Sequence, residues 1–130
     1  MLRLPEAMLA RSEAIPRSRG WVFEPKLDGF RCVVCTHEVF GARSRRGWEM
    51  TPLLPELAHV LPLDVQFDGE LVALADDGRP DFHRLSRRML HRAEAIDVTF
   101  FVFDVLAVEG LPTTALPYSE RRALLEELDV

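Results

Sequence analysis

The sequence predicts an α+β fold, mostly antiparallel sheets with flanking helices. Two observations carry this reading. Five short runs rich in Val, Phe, Leu or Trp are bounded by Gly, Pro or Asp and joined by short turns, and three segments of helical character lie among them. At 130 residues the chain is long enough for one core and too short for two ordinary domains.

In order, the predicted strands are Trp21–Leu27, Arg31–His37, Val39–Ser44, Val65–Leu74 and Thr99–Leu106. In the first, Trp21, Phe23, Pro25 and Leu27 form an apolar floor and leave Glu24 and Lys26 on the other face. In Val65–Leu74 the floor is Val65, Phe67, Gly69, Leu71 and Ala73, with Asp68 and Glu70 sharing the opposite face. Such alternation ordinarily marks the solvent side of an antiparallel strand. Phe100, Phe101, Val102, Phe103 and Val105 instead read as a strand buried on both faces. The predicted helices are Pro55–Val60, Phe82–His91 and Ser119–Leu128, the last entered just after Pro117.

Apolar residues make up 48% and charged residues 28%, the balance of a globular protein. No apolar run approaches the roughly 20 residues that span a bilayer. Met1–Pro16 interleaves Arg3, Glu6, Arg11 and Glu13 with apolar residues, unlike a secretory leader, so a cytoplasmic location without membrane partners is expected. A net charge of −5 argues against a generally basic coat, although phosphate contacts need only a local patch.

Cys32 and Cys35 are spaced as in a redox or half-zinc motif, but residues three apart on a strand point to opposite faces. Core thiols are expected. Among the 16 basic residues Lys26 is the one lysine, so a single side-chain amine is available for chemistry.

Glu24-Pro25-Lys26-Leu27-Asp28-Gly29-Phe30-Arg31 contains Lys-x-Asp-Gly-x-Arg, followed in order by Ser44-Arg45-Arg46-Gly47, Asp68-Gly69-Glu70 and Phe103-Asp104. In these motifs and their order the chain resembles the adenylation domain of ATP-dependent DNA ligases, of the bacterial end-joining type. Met8–Ala10, Trp48–Glu56, Gly78–Phe82 and Leu116–Leu128 extend the resemblance over essentially the whole chain. It implies a partial ATP-grasp-like nucleotidyltransferase fold, with residues 1–130 as the N-terminal portion of the adenylation domain and no OB-fold domain. The implied activity is formation of a lysyl-AMP intermediate from ATP and Mg²⁺, used to seal nicked or broken DNA in repair or recombination.

The chemistry gives the motif residues their roles. A lysine attacks the α-phosphate of ATP only when neutral, so its ordinary pKa of about 10.4 must be lowered by burial or a nearby cation. Arg31, Arg45 and Arg46 are candidate cations, and their guanidiniums are suited to phosphate or ribose oxygens. Gly29 is expected to let the turn after Lys26 reverse, through backbone angles closed to other residues. By resemblance, Glu24 and the backbone at Leu27 read the adenine edge, Phe103 stacks on the purine, and Glu70 binds the ribose or a magnesium ion. Phe103's place in an apolar run competes with that role.

Phe82, Leu85 and Met89 take helical spacing, leaving Arg84, Arg87, Arg88 and His91 as a basic surface ridge that could contact DNA phosphates. Ligases of this type continue into a Glu-Gly-Val-Val-x-Lys strand and a Lys-x-Lys motif that are not found here. Adenylation by this chain alone is therefore expected to be slow, and a C-terminal ligase fragment or end-joining proteins are expected partners. The alternatives are a non-catalytic nucleotide- or partner-binding remnant and a nucleotidyltransferase of the RNA ligase or capping type.

Overall fold

Alternating apolar residues build one sheet in the computed structural model, which describes residues 4–130; Met1–Arg3, part of the stretch read for a leader, lie outside it. The strands are β1 (Phe30–Cys35), β2 (Gly41–Ser44), β3 (Val65–Val72), β4 (Thr99–Val108) and β5 (Leu111–Pro112). All pair antiparallel, in the order β2-β1-β3-β4-β5. A 3₁₀ turn (Thr51–Leu53) and α1 (Leu57–Val60) link β2 to β3, α2 (Phe82–Leu90) links β3 to β4, and α3 (Tyr118–Glu127) follows β5.

The alternation of β3 assigns the faces. Val65, Phe67 and Leu71 enter the core, and Asp68 and Glu70 share the other side. Leu71 joins Cys32 and Val34 of β1, Met50, Leu54 and Leu57 of the β2–β3 connection, and Leu85 and Met89 of α2. Val65 and Phe67 pack with Val105 of β4 and Leu125 of α3. Leu61 and Phe100 touch both clusters, so the core is continuous beneath the sheet. Burying such side chains contributes roughly 1.5–3 kcal/mol each, which is why the apolar floor dictates register.

The opposite face is crossed by the N-terminal segment. Leu4 would touch a side chain placed at Gly41, and the carbonyl of Met8 accepts a hydrogen bond of 2.7 Å from Arg31 Nη1. Cys32 and Cys35 are both free and buried, Cys32 in the main core and Cys35 beside Gln66. Burial pushes the Cys32 thiol up to about 12, leaving it inert.

Three expectations need correction. Trp21–Leu27 forms no strand: Trp21, Val22 and Phe23 are 61%, 61% and 70% exposed. Its alternation is real, but no described strand pairs with it to complete a ladder, and without a partner alternation alone cannot hold a strand. The run in β4 is not buried on both sides, since Phe101 is exposed and Phe103 half-buried. In α2 the ridge is broken: Arg88 is buried, donating to the carbonyls of Ile96 (3.0 Å) and Leu53 (2.8 Å) and to Glu56 (2.6 Å). Arg88 is a tie between α2 and the connections around it, not a surface cation. Among the described residues no helix is long and apolar enough to cross a membrane.

Candidate nucleotide site

The segment carrying Lys26 runs into β1 through Gly29. Its amide donates to Glu70 Oε1 at 3.1 Å, fastening the motif to β3. The glycine is required by close approach and not by backbone angle: a Cβ there would lie 1.9 Å from the Leu71 carbonyl oxygen, while its φ is not positive. The expectation of a turn needing unusual angles is corrected accordingly. Gly69 is hemmed in likewise, its would-be Cβ 2.5 Å from the Phe100 ring and the Phe101 carbonyl.

Across the face Arg31 meets Asp68 through two bonds, Nε to Oδ1 at 2.9 Å and Nη2 to Oδ2 at 2.6 Å. This hydrogen bonding with Asp68 holds the guanidinium above its ordinary pKa. The same guanidinium lies over the Phe103 ring, its Cζ 5.2 Å from the ring centroid. Phe103 thus has one face in contact with Arg31.

Ser44-Arg45-Arg46-Gly47 is a tight turn at the end of β2. Gly47 N–H donates to the Ser44 carbonyl at 2.9 Å, Trp48 N–H to Ser44 Oγ at 3.0 Å, and Gly47 takes a φ of 85°. The turn projects Arg45 and Arg46 into solvent beside a cavity of about 740 Å³. Gly29, Arg31 and Glu70 line the cavity with these two arginines, and Phe30, Trp48 and Phe82 form an aromatic wall. Phe30 meets Trp48 and Phe82 edge to face, with centroids 6.3 and 5.4 Å apart. The volume suits a nucleotide-sized molecule.

Glu70 shows the electrostatic character of the cleft. Burial raises its pKa above the ordinary value, opposed by the Gly29 amide and the charges of Arg31 and Lys26. Lys26 is therefore close enough to act on Glu70, although it is exposed and outside the cavity lining. Glu24 is exposed and accepts a hydrogen bond of 2.7 Å from Tyr118 Oη at the start of α3. Leu27 is half-buried. The structure thus brings Arg31, Arg45, Arg46 and Glu70 into one cavity and places Glu24, Lys26, Leu27 and Phe103 outside its lining.

Sequence reading missed two partners. Asp68 carries a signal in hindsight, because its phase matches Glu70 and a strand arginine lies nearby in the motif order. Tyr118 carries none, being 94 residues from Glu24. Nearby in the fold, Arg121 of α3 donates to Asp104 of β4 through Nε at 2.8 Å and Nη2 at 3.1 Å. Among the described residues no group of three or more His, Cys, Asp or Glu is placed to hold a metal ion.

The chain belongs to the family of ATP dependent DNA ligase domains, which matches residues 4–129. It is 35% identical over 128 residues to the multifunctional non-homologous end joining protein LigD of Mycolicibacterium smegmatis, covering 93% of this chain and 16% of that protein. It is 37% identical over 135 residues to DNA ligase C of Mycobacterium tuberculosis, covering 91% of this chain and 36% of that protein. The ligase domain from M. tuberculosis LigD superimposes with a TM-score of 0.71 at 33% identity, over 82% of this chain and 36% of that one. A second solved structure, of mycobacterial DNA ligase D complexed with ATP and MES, gives 0.66 at 34% identity over the same shares. The chain thus spans well under two thirds of each of these relatives. The resemblance seen in the motifs and the α+β, mostly antiparallel fold class are both borne out at this level.

Proposed function

We propose that the chain is part of the adenylation unit of an ATP-dependent DNA ligase, with Lys26 as the nucleophile. The observation that carries this is the fastening of the Lys26–Arg31 motif to Glu70 through Gly29, beside a cavity that also receives Arg45 and Arg46. In the reaction the neutral Lys26 Nζ bonds to the α-phosphorus of ATP as the bond to the bridging oxygen breaks. Pyrophosphate leaves with the electron pair and the surplus Nζ proton passes to solvent.

Arg45 and Arg46 hold phosphate oxygens in this reading, and Glu70 the ribose. Glu24 and the Leu27 backbone read the adenine, and Phe103 offers its second face to the purine. Arg31 has its fork engaged by Asp68, so it contributes single N–H bonds and little net charge. Magnesium is ordinarily held by one or two carboxylates plus substrate phosphates, so here it would meet the chain through Glu70. It would supply charge neutralisation on the phosphates. Nicked or broken DNA is the proposed substrate of the complete enzyme, in the cytoplasm, with Arg84 and Arg87 toward the DNA phosphates. A C-terminal ligase fragment or end-joining proteins are the proposed partners.

Incubation with ATP and Mg²⁺ is expected to add the mass of one AMP at Lys26, with no gain in Lys26→Ala. An adduct also blocks a lysine-specific protease, for which Lys26 is the one cutting site in the chain. No adduct at any concentration, with or without an added C-terminal piece, sinks the nucleophile. A binding-only reading draws on the exposure of Lys26 outside the cavity lining; for it, calorimetry should show ATP binding without pyrophosphate release.

A further inference from the structure

The segment 21–27 carries the proposed nucleophile Lys26 and the proposed base contacts Glu24 and Leu27, yet it belongs to no strand. Among the described residues its hydrogen bonds are Trp21 Nε1 to Ser18 Oγ at 3.1 Å, a local contact, and Tyr118 Oη to Glu24 Oε1 at 2.7 Å. The second ties it to a distant part of the fold. Tyr118 stands on the first turn of α3, and Arg121, three residues on, shares its side of the helix. Arg121 is clamped to Asp104 by two bonds, both side chains 15% exposed, and donates to the Leu116 carbonyl at 2.6 Å. The helix start is therefore anchored on β4, and Leu125 anchors its other end in the core.

We propose that Tyr118 is a positioning residue that, through Glu24, holds the Lys26-bearing segment at the cleft for recognition of the purine base. Its hydroxyl donates to the carboxylate, and its electrostatic neighbours fit that task. Burial and the Glu24 bond raise its pKa, so it keeps its proton at neutral pH. With one Glu24 oxygen engaged by Tyr118, the second remains to accept from an amino group such as that on adenine. Guanine presents a carbonyl oxygen at the corresponding position, and a carboxylate repels it. Tyr118 thereby contributes to the choice of ATP over GTP without touching either. This rests on the nucleotide reading above.

Tyr118→Phe, made in the full chain, retains the ring and removes the bond. Two readouts follow. A lysine-specific protease should cut after Lys26 about threefold or more faster than in the parent, because the segment is released. The ratio of ATP to GTP affinity should fall about tenfold, with the thermal midpoint unchanged because the hydroxyl bond lies at the surface. An unchanged cutting rate overturns the tether. Faster cutting with an unchanged nucleotide ratio overturns its link to base recognition. A parent protein that binds neither nucleotide overturns the nucleotide reading itself, and the positioning role with it.

Discussion

Arg31 lies opposite Glu70 in the β1–β3 register, yet its guanidinium bonds to Asp68, two positions along the same face of β3. That diagonal choice turns a cation expected to grip phosphate into one held within the protein. Two bonds to Asp68 and one to the Met8 carbonyl leave two of the five guanidinium N–H groups for other partners. In the proposed function it is Arg45 and Arg46, which also line the cavity, that are left to fork a phosphate.

Asp68→Asn should therefore act on both stability and site. Asp68 is 3% exposed, so the variant leaves a cation facing a neutral amide, a loss of about 2–3 kcal/mol for a charged hydrogen-bonded contact. Urea unfolding measures it. Arg31→Lys should lose a comparable amount, because an ammonium cannot form the paired bonds. Either variant unfolding at the parent midpoint contradicts a stabilising role for the Arg31–Asp68 pair.

Gly29→Ala drives a methyl group to 1.9 Å from the Leu71 carbonyl oxygen, so the backbone must move. A cost of about 1–3 kcal/mol is expected from overpacking, with the Gly29–Glu70 bond lost as β1 shifts. Exchange of the backbone amide at position 29, compared between parent and variant, reads the second effect independently of stability.

Arg88 and Arg87 are neighbours with opposite fates. Removing the Arg88 side chain leaves Glu56 and two carbonyls without their donor, and Arg88→Ala should destabilise by about 3–5 kcal/mol. Arg87 is exposed, so Arg87→Ala should change the unfolding free energy by less than about 0.5 kcal/mol. If Arg87 meets DNA in the complete enzyme, the same variant should flatten the salt dependence of binding.

Glu70 sets a pH dependence. Its carboxyl lies above the ordinary value of 4.5 because burial outweighs the Gly29 amide and the nearby cations. An acid whose pKa rises on folding binds its proton more readily when folded, so ionisation disfavours the native state. The penalty is absent below the unfolded value, enters as pH rises through the window just above 4.5, and persists at neutral pH. Glu70→Gln should therefore stabilise at pH 7 by on the order of a few tenths of a kcal/mol, screened because the group remains partly in solvent. The gain should vanish near pH 4, while nucleotide binding weakens. Thermal melts across pH test the first statement, and a variant less stable than the parent at pH 7 refutes it.

Local periodicity made much of the scaffold legible. Five-residue and longer runs located β1, β3 and β4 within a few residues, and helical spacing located α2 and α3, since each signal is contained in the element itself. The short 3₁₀ turn and the two-residue β5 carry too few positions for any period. Trp21–Leu27 shows the limit most clearly: it alternates well, but a strand exists only in company, and that company is not written in the strand.

The sequence by itself carried the motif order on which the family resemblance rests: one lysine in Lys-x-Asp-Gly-x-Arg, followed in order by the arginines, the carboxylates and the aromatic residue. It also determined that Asp68 and Glu70 share a face, because alternation is local. Only the tertiary structure decided that Arg31 serves Asp68, that Arg88 is buried, that Gly29 is required by the Leu71 carbonyl, and that Tyr118 reaches Glu24. Each of these is a meeting of residues far apart in the chain, and such meetings depend on how sheet and helices pack against one another, which no local pattern encodes.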